Sequence, residues 1–319
     1  MKPILTIVIP CYNSEETIEC TLSTIIDIQN IEIILINDGS TDNTHTIIKK
    51  YLEDYKNIKY EYQNNKGPGA ARNKGIEMAT GDYIMFLDSD DKIKTENLCE
   101  LIDKYLKYKQ YDVIYYNFEQ ILPNGQVYNT YRLEKFKELS KEELIKNTIS
   151  WNLPWGQFKI IESRIIKENN IYFDEQVKNS EELFFTIQVL ENSNKIFFFD
   201  KIVYQYLKRK DSLSTKINLE LSKNTVNFMV AKLKQKFENT VYQTVIYNYI
   251  VVFQIDLLRQ TTNTKQYKIF KKTCKAIRKN LQNINCHYIA KRYQIILKII
   301  TFHLDFLLYL AFIIYFRRK

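Results

Sequence analysis

Three short apolar runs, Leu5–Pro10, Ile31–Ile36 and Tyr83–Leu87, alternate with stretches of helical period and set the fold of this chain. A fourth segment, Ile58–Tyr62, has the same length and stands between the second and third runs. Runs of five or six residues are strand-sized, and strands that are apolar nearly throughout are buried on both faces. Such strands need helices above and below, which means a mainly parallel sheet. After the first run, Ile18, Leu22, Ile25 and Ile26 share one helical face, and Asn13 with Glu16 has the spacing of a capping box. The next helix is expected to bury Ile47, Ile48, Tyr51 and Leu52, and Gly67 to Gly75 opens the one after Ile58–Tyr62. Further on, Asp112–Asn117 reads as a strand, and Asn124-Gly125 between Phe118–Ile121 and Val127–Tyr131 reads as a hairpin. Ser140 and Glu143 open a helix, and Leu219–Lys236, Val241–Arg259 and Tyr267–Leu281 read as three more. The expected class is α/β, a Rossmann-like mainly parallel sheet flanked by helices, followed by an α-helical C-terminal region.

Each strand runs into a polar motif, and open parallel sheets bind ligands at the carboxyl ends of their strands. Pro10-Cys11-Tyr12-Asn13 follows the first, Asn37-Asp38-Gly39-Ser40-Thr41-Asp42 the second and Asp88-Ser89-Asp90-Asp91 the last. Carboxylates crowded at the mouth of a buried strand repel one another and are costly to desolvate. A hard divalent cation, Mg2+ or Mn2+, that also touches phosphate oxygens would offset them. The plain alternative is a polar turn with an Asp helix cap.

In order and spacing, Pro10-Cys11-Tyr12-Asn13, Asn37 to Asp42, Gly69-Ala70-Ala71-Arg72-Asn73-Lys74-Gly75 and Phe86-Leu87-Asp88-Ser89-Asp90-Asp91 resemble the successive motifs of family 2 glycosyltransferases. The resemblance implies a GT-A fold, a nucleotide-sugar donor and inversion at the anomeric centre. It places Pro10, Tyr12 and Asn13 at the donor, with Tyr12 against the nucleobase and Asp38 accepting a hydrogen bond from it. The alternatives are a sheet-edge aromatic for Tyr12 and turn chemistry for Asp38, with Thr41 or Asp42 capping the next helix. Arg72 is expected at the base or diphosphate, or else in an ion pair with an acidic neighbour. Asp90 is the expected metal ligand, with Asp88 on the ribose or in the metal's hydration shell, and Asp91 orienting the following segment.

Inversion needs a base on the face opposite the leaving group. Asn179-Ser180-Glu181-Glu182-Leu183-Phe184-Phe185 resembles the family's acidic pair followed by an aromatic, and its second acid, Glu182, takes the role of base. Relatives usually carry Asp there, which leaves Glu181 as the alternative; an acidic first helical turn complementing the helix dipole is the structural one. Lys208-Arg209-Lys210-Asp211-Ser212-Leu213-Ser214 resembles the segment that closes over the donor, so Arg209 or Lys210 is expected to clamp the diphosphate. Trp151 or Trp155 would line an acceptor pocket or pin the core.

The resemblance fades after Thr215, giving a GT-A domain over 1–215 and a helical region over 216–319 whose tail, from about 293, is a candidate for membrane contact. Phe306–Phe316 is uninterrupted apolar sequence before Arg317-Arg318-Lys319. It is too short to span a bilayer, and Lys298, His303 and Asp305 block its extension, so a helix lying in the interface is expected, with a buried core helix or a dimer contact as the alternative. Net charge is +9, which favours acidic partners such as nucleotide phosphates or anionic lipid. Nucleic acid is not expected, because the basic residues are dispersed and no binding signature appears. Five cysteines without CxxC pairing and an early first strand suggest a reduced, leaderless protein on the cytoplasmic face of the inner membrane. The count of three histidines argues against a histidine-built zinc site. The expected activity is metal-dependent transfer of a hexosyl or N-acetylhexosaminyl group from a UDP-sugar to a glycan or lipid-linked oligosaccharide in surface polysaccharide assembly. Competing classes are an idle scaffold of the same fold and a nucleotidyltransferase; the Gly-rich loop usual after the first strand of the latter is lacking.

Overall fold

A computed structural model describes residues 2–177, 181–209, 219–263 and 266–317, with only the backbone described for 219–226, 259–263 and 315–317. Lys210 and the expected boundary at 215/216 lie outside the described residues. The chain divides into two compact units, Met1–Lys141 with Trp155–Ser212, and Glu142–Pro154 with Leu213–Lys319.

The first unit opens as β1 (Leu5–Cys11), α1 (Ile18–Leu22), β2 (Ile31–Asp38), α2 (Thr44–Asp54), β3 (Ile58–Gln63), α3 (Pro68–Met78) and β4 (Tyr83–Phe86). These four strands run parallel in the order β3-β2-β1-β4. Leu5, Ile7, Val8 and Ile9 of β1 and Ile33 to Ile36 of β2 are fully buried, each such side chain stabilising the fold by roughly 1.5–3 kcal/mol. Helix α3 lies so close to β1 that a Cβ on Gly75 would meet Val8 Cγ1 at 2.1 Å.

Past β4 the sheet becomes mixed. After β5 (Lys92–Ile93) and α4 (Thr95–Lys104) come β6 (Val113–Ile121) and β7 (Val127–Tyr131), the expected hairpin, with Gly125 at φ 81°. Helix α5 (Lys141–Ile149) leads to β8 (Lys159–Glu162), α6 (Ser163–Glu168), α7 (Glu181–Glu191) and β9 (Ile196–Leu207). Strand β8 lies antiparallel between β4 and β6, and β9 pairs parallel with β6.

Register positions the site. Cys11 pairs with Asn37 and Val8 with Phe86, so Tyr12, Asp38 and Asp88 leave the sheet at the same end. Antiparallel pairing of Met85 with Ile160 brings the start of β8, Lys159, to that end as well.

Two local expectations are corrected. Asn13 and Glu16 form no capping box, because Asn13 sits at φ 49° and the helix begins only at Ile18. Asn13 is held instead across the strand ends, its N–H donating to Ser40 Oγ at 3.0 Å and its Oδ1 accepting from Thr41 N–H at 2.9 Å. In α2 only Ile48 of the four apolar residues is fully buried, the other three being half-covered.

The second unit contains α8 (Leu219–Phe237), α9 (Gln243–Asn263), α10 (Tyr267–Asn280), α11 (Lys291–Thr301) and α12 (Asp305–Arg317). Its core gathers Val252, Ile255, Phe270, Cys274, Leu297 and Leu308. Trp151 packs here as a core residue, with ring centroids 6.1 Å from Tyr249 and 6.3 Å from Phe253. Arg278 fixes the start of α12 through two bonds to Asp305, 2.7 and 2.8 Å. One side of α12 is buried at Leu308 and Tyr309, while Phe306, Leu307, Leu310 and Ile314 are exposed. Among the described residues, no helix is long and apolar enough to cross a membrane.

Candidate active site

Arg72 organises the acidic end of the sheet. Carried on the second turn of α3, its side chain is 5% exposed and meets three carboxylates. Nη2 donates to Asp88 Oδ1 at 2.9 Å, and Nη1 donates to Glu181 Oε1 at 2.9 Å and stands 3.4 Å from Glu182 Oε1. Burial works against its charge, yet Asp88, Glu182 and Glu181 together raise its pKa above the ordinary arginine range. Arg72 makes an ion pair of the kind expected as one of its two roles, and the pair joins the end of β4 to the start of α7.

The acidic pair divides into a fixed member and a freer one. Glu181 is 6% exposed and shares its hydrogen bond with the guanidinium. Glu182 is 19% exposed, has the longer contact to Arg72, and accepts a 3.3 Å bond from Gln157 Nε2. Burial, with repulsion from Glu181, lifts the Glu182 carboxyl to about 7 against the pull of Arg72. A carboxylate that titrates near neutrality can accept a proton in the working pH range.

The three aspartates after β4 have three environments. Asp91 is wholly buried, accepting from Tyr204 Oη at 2.6 Å and from Leu207 N–H at 2.7 Å, so it ties this turn to β9. Asp90 pairs with Arg209, and Asp88 with Arg72. Burial and repulsion from Asp88 raise the Asp90 pKa, opposed by Arg209. Asp88 and Asp90 are thus close enough to repel, and a guanidinium supplies the positive charge beside Asp90. Each of these two carboxylates already faces a guanidinium, Asp88 that of Arg72 and Asp90 that of Arg209. Among the described residues no three His, Cys, Asp or Glu side chains converge to hold an ion. Asp88 and Asp90 could therefore hold one only with phosphate and water oxygens completing its shell, the habit of Mg2+.

Asp38 is 3% exposed. Its Oδ1 accepts from Gln63 Nε2 at 2.7 Å and Lys66 N–H at 2.9 Å, and its Oδ2 from Gly67 N–H at 2.8 Å. It thereby fixes the loop that starts α3, using three of about four carboxylate lone-pair sites. Tyr12, 52% exposed, follows Cys11, whose register partner Asn37 immediately precedes Asp38. Pro10 lies within β1, paired with Ile36. The strand ends thus bring together Arg72, Asp88, Glu181 and Glu182, while Asp38 and the Asp90–Arg209 pair have partners of their own.

Sequence reading passed over Lys159, Gln157 and Thr186. Lys159 is 4% exposed and donates to the carbonyls of Trp155 and Gly156 at 2.8 and 2.7 Å. A single charge inside the otherwise apolar Phe158–Ile161 was the available signal.

A parallel-rooted α/β sheet carrying an acidic cluster at its strand ends defines a GT-A fold. The family model for glycosyl transferase family 2 matches residues 6–168, and the chain belongs to that family. Glycosyltransferase GlyG of Streptococcus pneumoniae serotype 4 is 29% identical over 295 residues, covering 84% of this chain and 94% of that protein. The poly(ribitol-phosphate) beta-glucosyltransferase of Bacillus spizizenii is 32% identical over 214 residues, 65% of this chain, which spans about a third (32%) of that longer relative. Among solved structures, S. aureus TarS 1-349 in complex with UDP-GlcNAc superposes with a TM-score of 0.68 at 21% identity, over 100% of this chain and 92% of that one. At that identity the likeness is one of fold.

Proposed function

We propose that the protein transfers a hexosyl or N-acetylhexosaminyl group from a UDP-sugar to a hydroxyl of a glycan acceptor, with inversion, in surface polysaccharide assembly. The observation that carries this reading is the meeting, through Arg72, of a strand-end carboxylate and a helix-borne acidic pair. Tyr12 stacks on the uracil face and Asp38 accepts its ring N–H. Asp88 and Asp90 would hold Mg2+ or Mn2+, which would supply positive charge to the diphosphate. Arg209, paired with Asp90, would bind the phosphates. Glu182 takes the proton of the acceptor hydroxyl, whose oxygen bonds to the anomeric carbon as the bond to the UDP oxygen breaks and UDP leaves with the electron pair. The TarS complex contains UDP-GlcNAc, which supports the choice of UDP.

The test is a panel of nucleotide sugars with product analysis. Metal-dependent release of nucleoside diphosphate is expected. Pyrophosphate would instead mark a nucleotidyltransferase, and no turnover with any donor would mark an idle scaffold.

The acceptor is proposed to be lipid-linked, reached from the cytoplasmic face of the membrane. Exposed Phe302, Phe306, Leu307 and Ile314 on the α11–α12 side, with exposed Lys291 and Lys298, suit an anionic interface. Co-sedimentation with phosphatidylglycerol vesicles is expected, weakened at least about tenfold by Phe306→Glu with Leu307→Glu, since each apolar side chain removed forfeits roughly 1.5–3 kcal/mol of burial. Equal sedimentation of the two proteins would refute membrane docking through this face.

A further inference from the structure

We infer that Lys159 is a positioning residue for Glu182, holding the helix that carries this carboxylate through the carbonyl groups of the 155–157 turn. The inference rests on Glu182 being the base. The Trp155 carbonyl oxygen accepts two bonds, from Lys159 Nζ at 2.8 Å and from Thr186 Oγ1 at 2.9 Å. Thr186 lies one turn beyond Glu182 on the same face of α7. The Gly156 carbonyl accepts a second bond from Lys159, 2.7 Å, and the next residue, Gln157, donates to Glu182 itself at 3.3 Å. One buried ammonium on β8 therefore fixes both the helix and the side-chain amide that touch the base.

A buried lysine is a costly way to hold a turn. Burial brings its pKa down to about 7 even though Glu182 favours its charged form. Apolar residues with backbone hydrogen bonds hold most turns without that cost, so the charge points to a role at the carboxylate. The groups facing Glu182 are Arg72 from α3, Asp88 after β4, Glu181 on α7, Gln157 in the turn and Lys159 on β8. Loss of the Lys159 charge removes one of the two cations in that set, leaving Arg72.

UDP release from UDP-N-acetylglucosamine in Mn2+, followed against pH, tests the inference alongside calorimetry of UDP binding. Lys159→Met is expected to lower kcat about 10- to 100-fold, the range of an ångström-scale misplacement, with UDP affinity held within about twofold. Its acid limb should move to higher pH, and Lys159→Arg, which keeps the charge, should leave that limb in place. Unchanged kcat and acid limb in Lys159→Met, or UDP affinity falling in step with kcat, would overturn the inference. Gln157→Leu decides if Lys159→Met does not fold: kcat falls with UDP affinity kept, or the inference fails. Should this donor not turn over, hydrogen exchange decides, since Lys159→Met must speed exchange in the first turns of α7. Unaltered exchange there would overturn it. Glu182→Gln separates the two levels: if it keeps turnover, the base reading fails; if it abolishes turnover while Lys159→Met does not, only Lys159 is wrongly assigned.

Discussion

Glu182→Gln should lower sugar transfer by a factor of about 10²–10⁴, the contribution of a positioned general base. The replacement has nearly the same shape and keeps a carbonyl oxygen for Gln157, so folding and UDP binding should hold; only proton acceptance is lost. The pH dependence gives an independent check. A base works in its ionised form, and burial with repulsion from Glu181 lifts the Glu182 carboxyl to about 7. Turnover should therefore rise as pH climbs through about 7 and be lost below it, well above the range of an ordinary carboxylate. In Glu182→Gln that limb should vanish from the residual rate. Glu181→Gln should behave differently: a negative neighbour disappears, so the limb shifts to lower pH while activity persists. Initial rates of UDP release between pH 5 and 9 measure all three proteins. A Glu182→Gln enzyme within tenfold of the unmodified one would remove Glu182 from the chemistry.

The sheet was legible because its first strands are buried on both faces, which produces near-continuous apolar runs at Leu5–Pro10 and Tyr83–Leu87. Strand β8, four residues of Lys-Ile-Ile-Glu, is too short for period to separate it from a loop. The capping box at Asn13 failed for a long-range reason: Ser40 and Thr41, on the neighbouring strand end, take the side chain and N–H that a helix cap would use. Asp88 and Glu181 could be picked out by motif, yet their common partner could not. Arg72 reaches residues 16 and 109 positions away, a separation that no local pattern encodes. Trp151 illustrates the opposite case, where an indole suited to sugar is drawn into a helical core by Tyr249 and Phe253.

Asp90 carries the second large expected effect. If Asp88 and Asp90 share a divalent ion with the donor's diphosphate, loss of either carboxylate removes charge stabilisation worth several kcal/mol, or on the order of 100-fold or more in turnover. Affinity alone is a poor guide, since Asp90→Asn also releases Arg209, and a freed guanidinium binds phosphate on its own. The discriminating quantity is how much UDP binding depends on the ion. Calorimetry of UDP binding to the unmodified protein and to Asp90→Asn, each in Mn2+ and in EDTA, measures it directly. The unmodified protein should bind UDP at least about tenfold more tightly in Mn2+ than in EDTA, a difference of 1.4 kcal/mol or more, and Asp90→Asn should show almost none of that difference. Equal binding with and without the ion in the unmodified protein, or a full Mn2+ effect in Asp90→Asn, would contradict a donor held by metal on these strand-end aspartates.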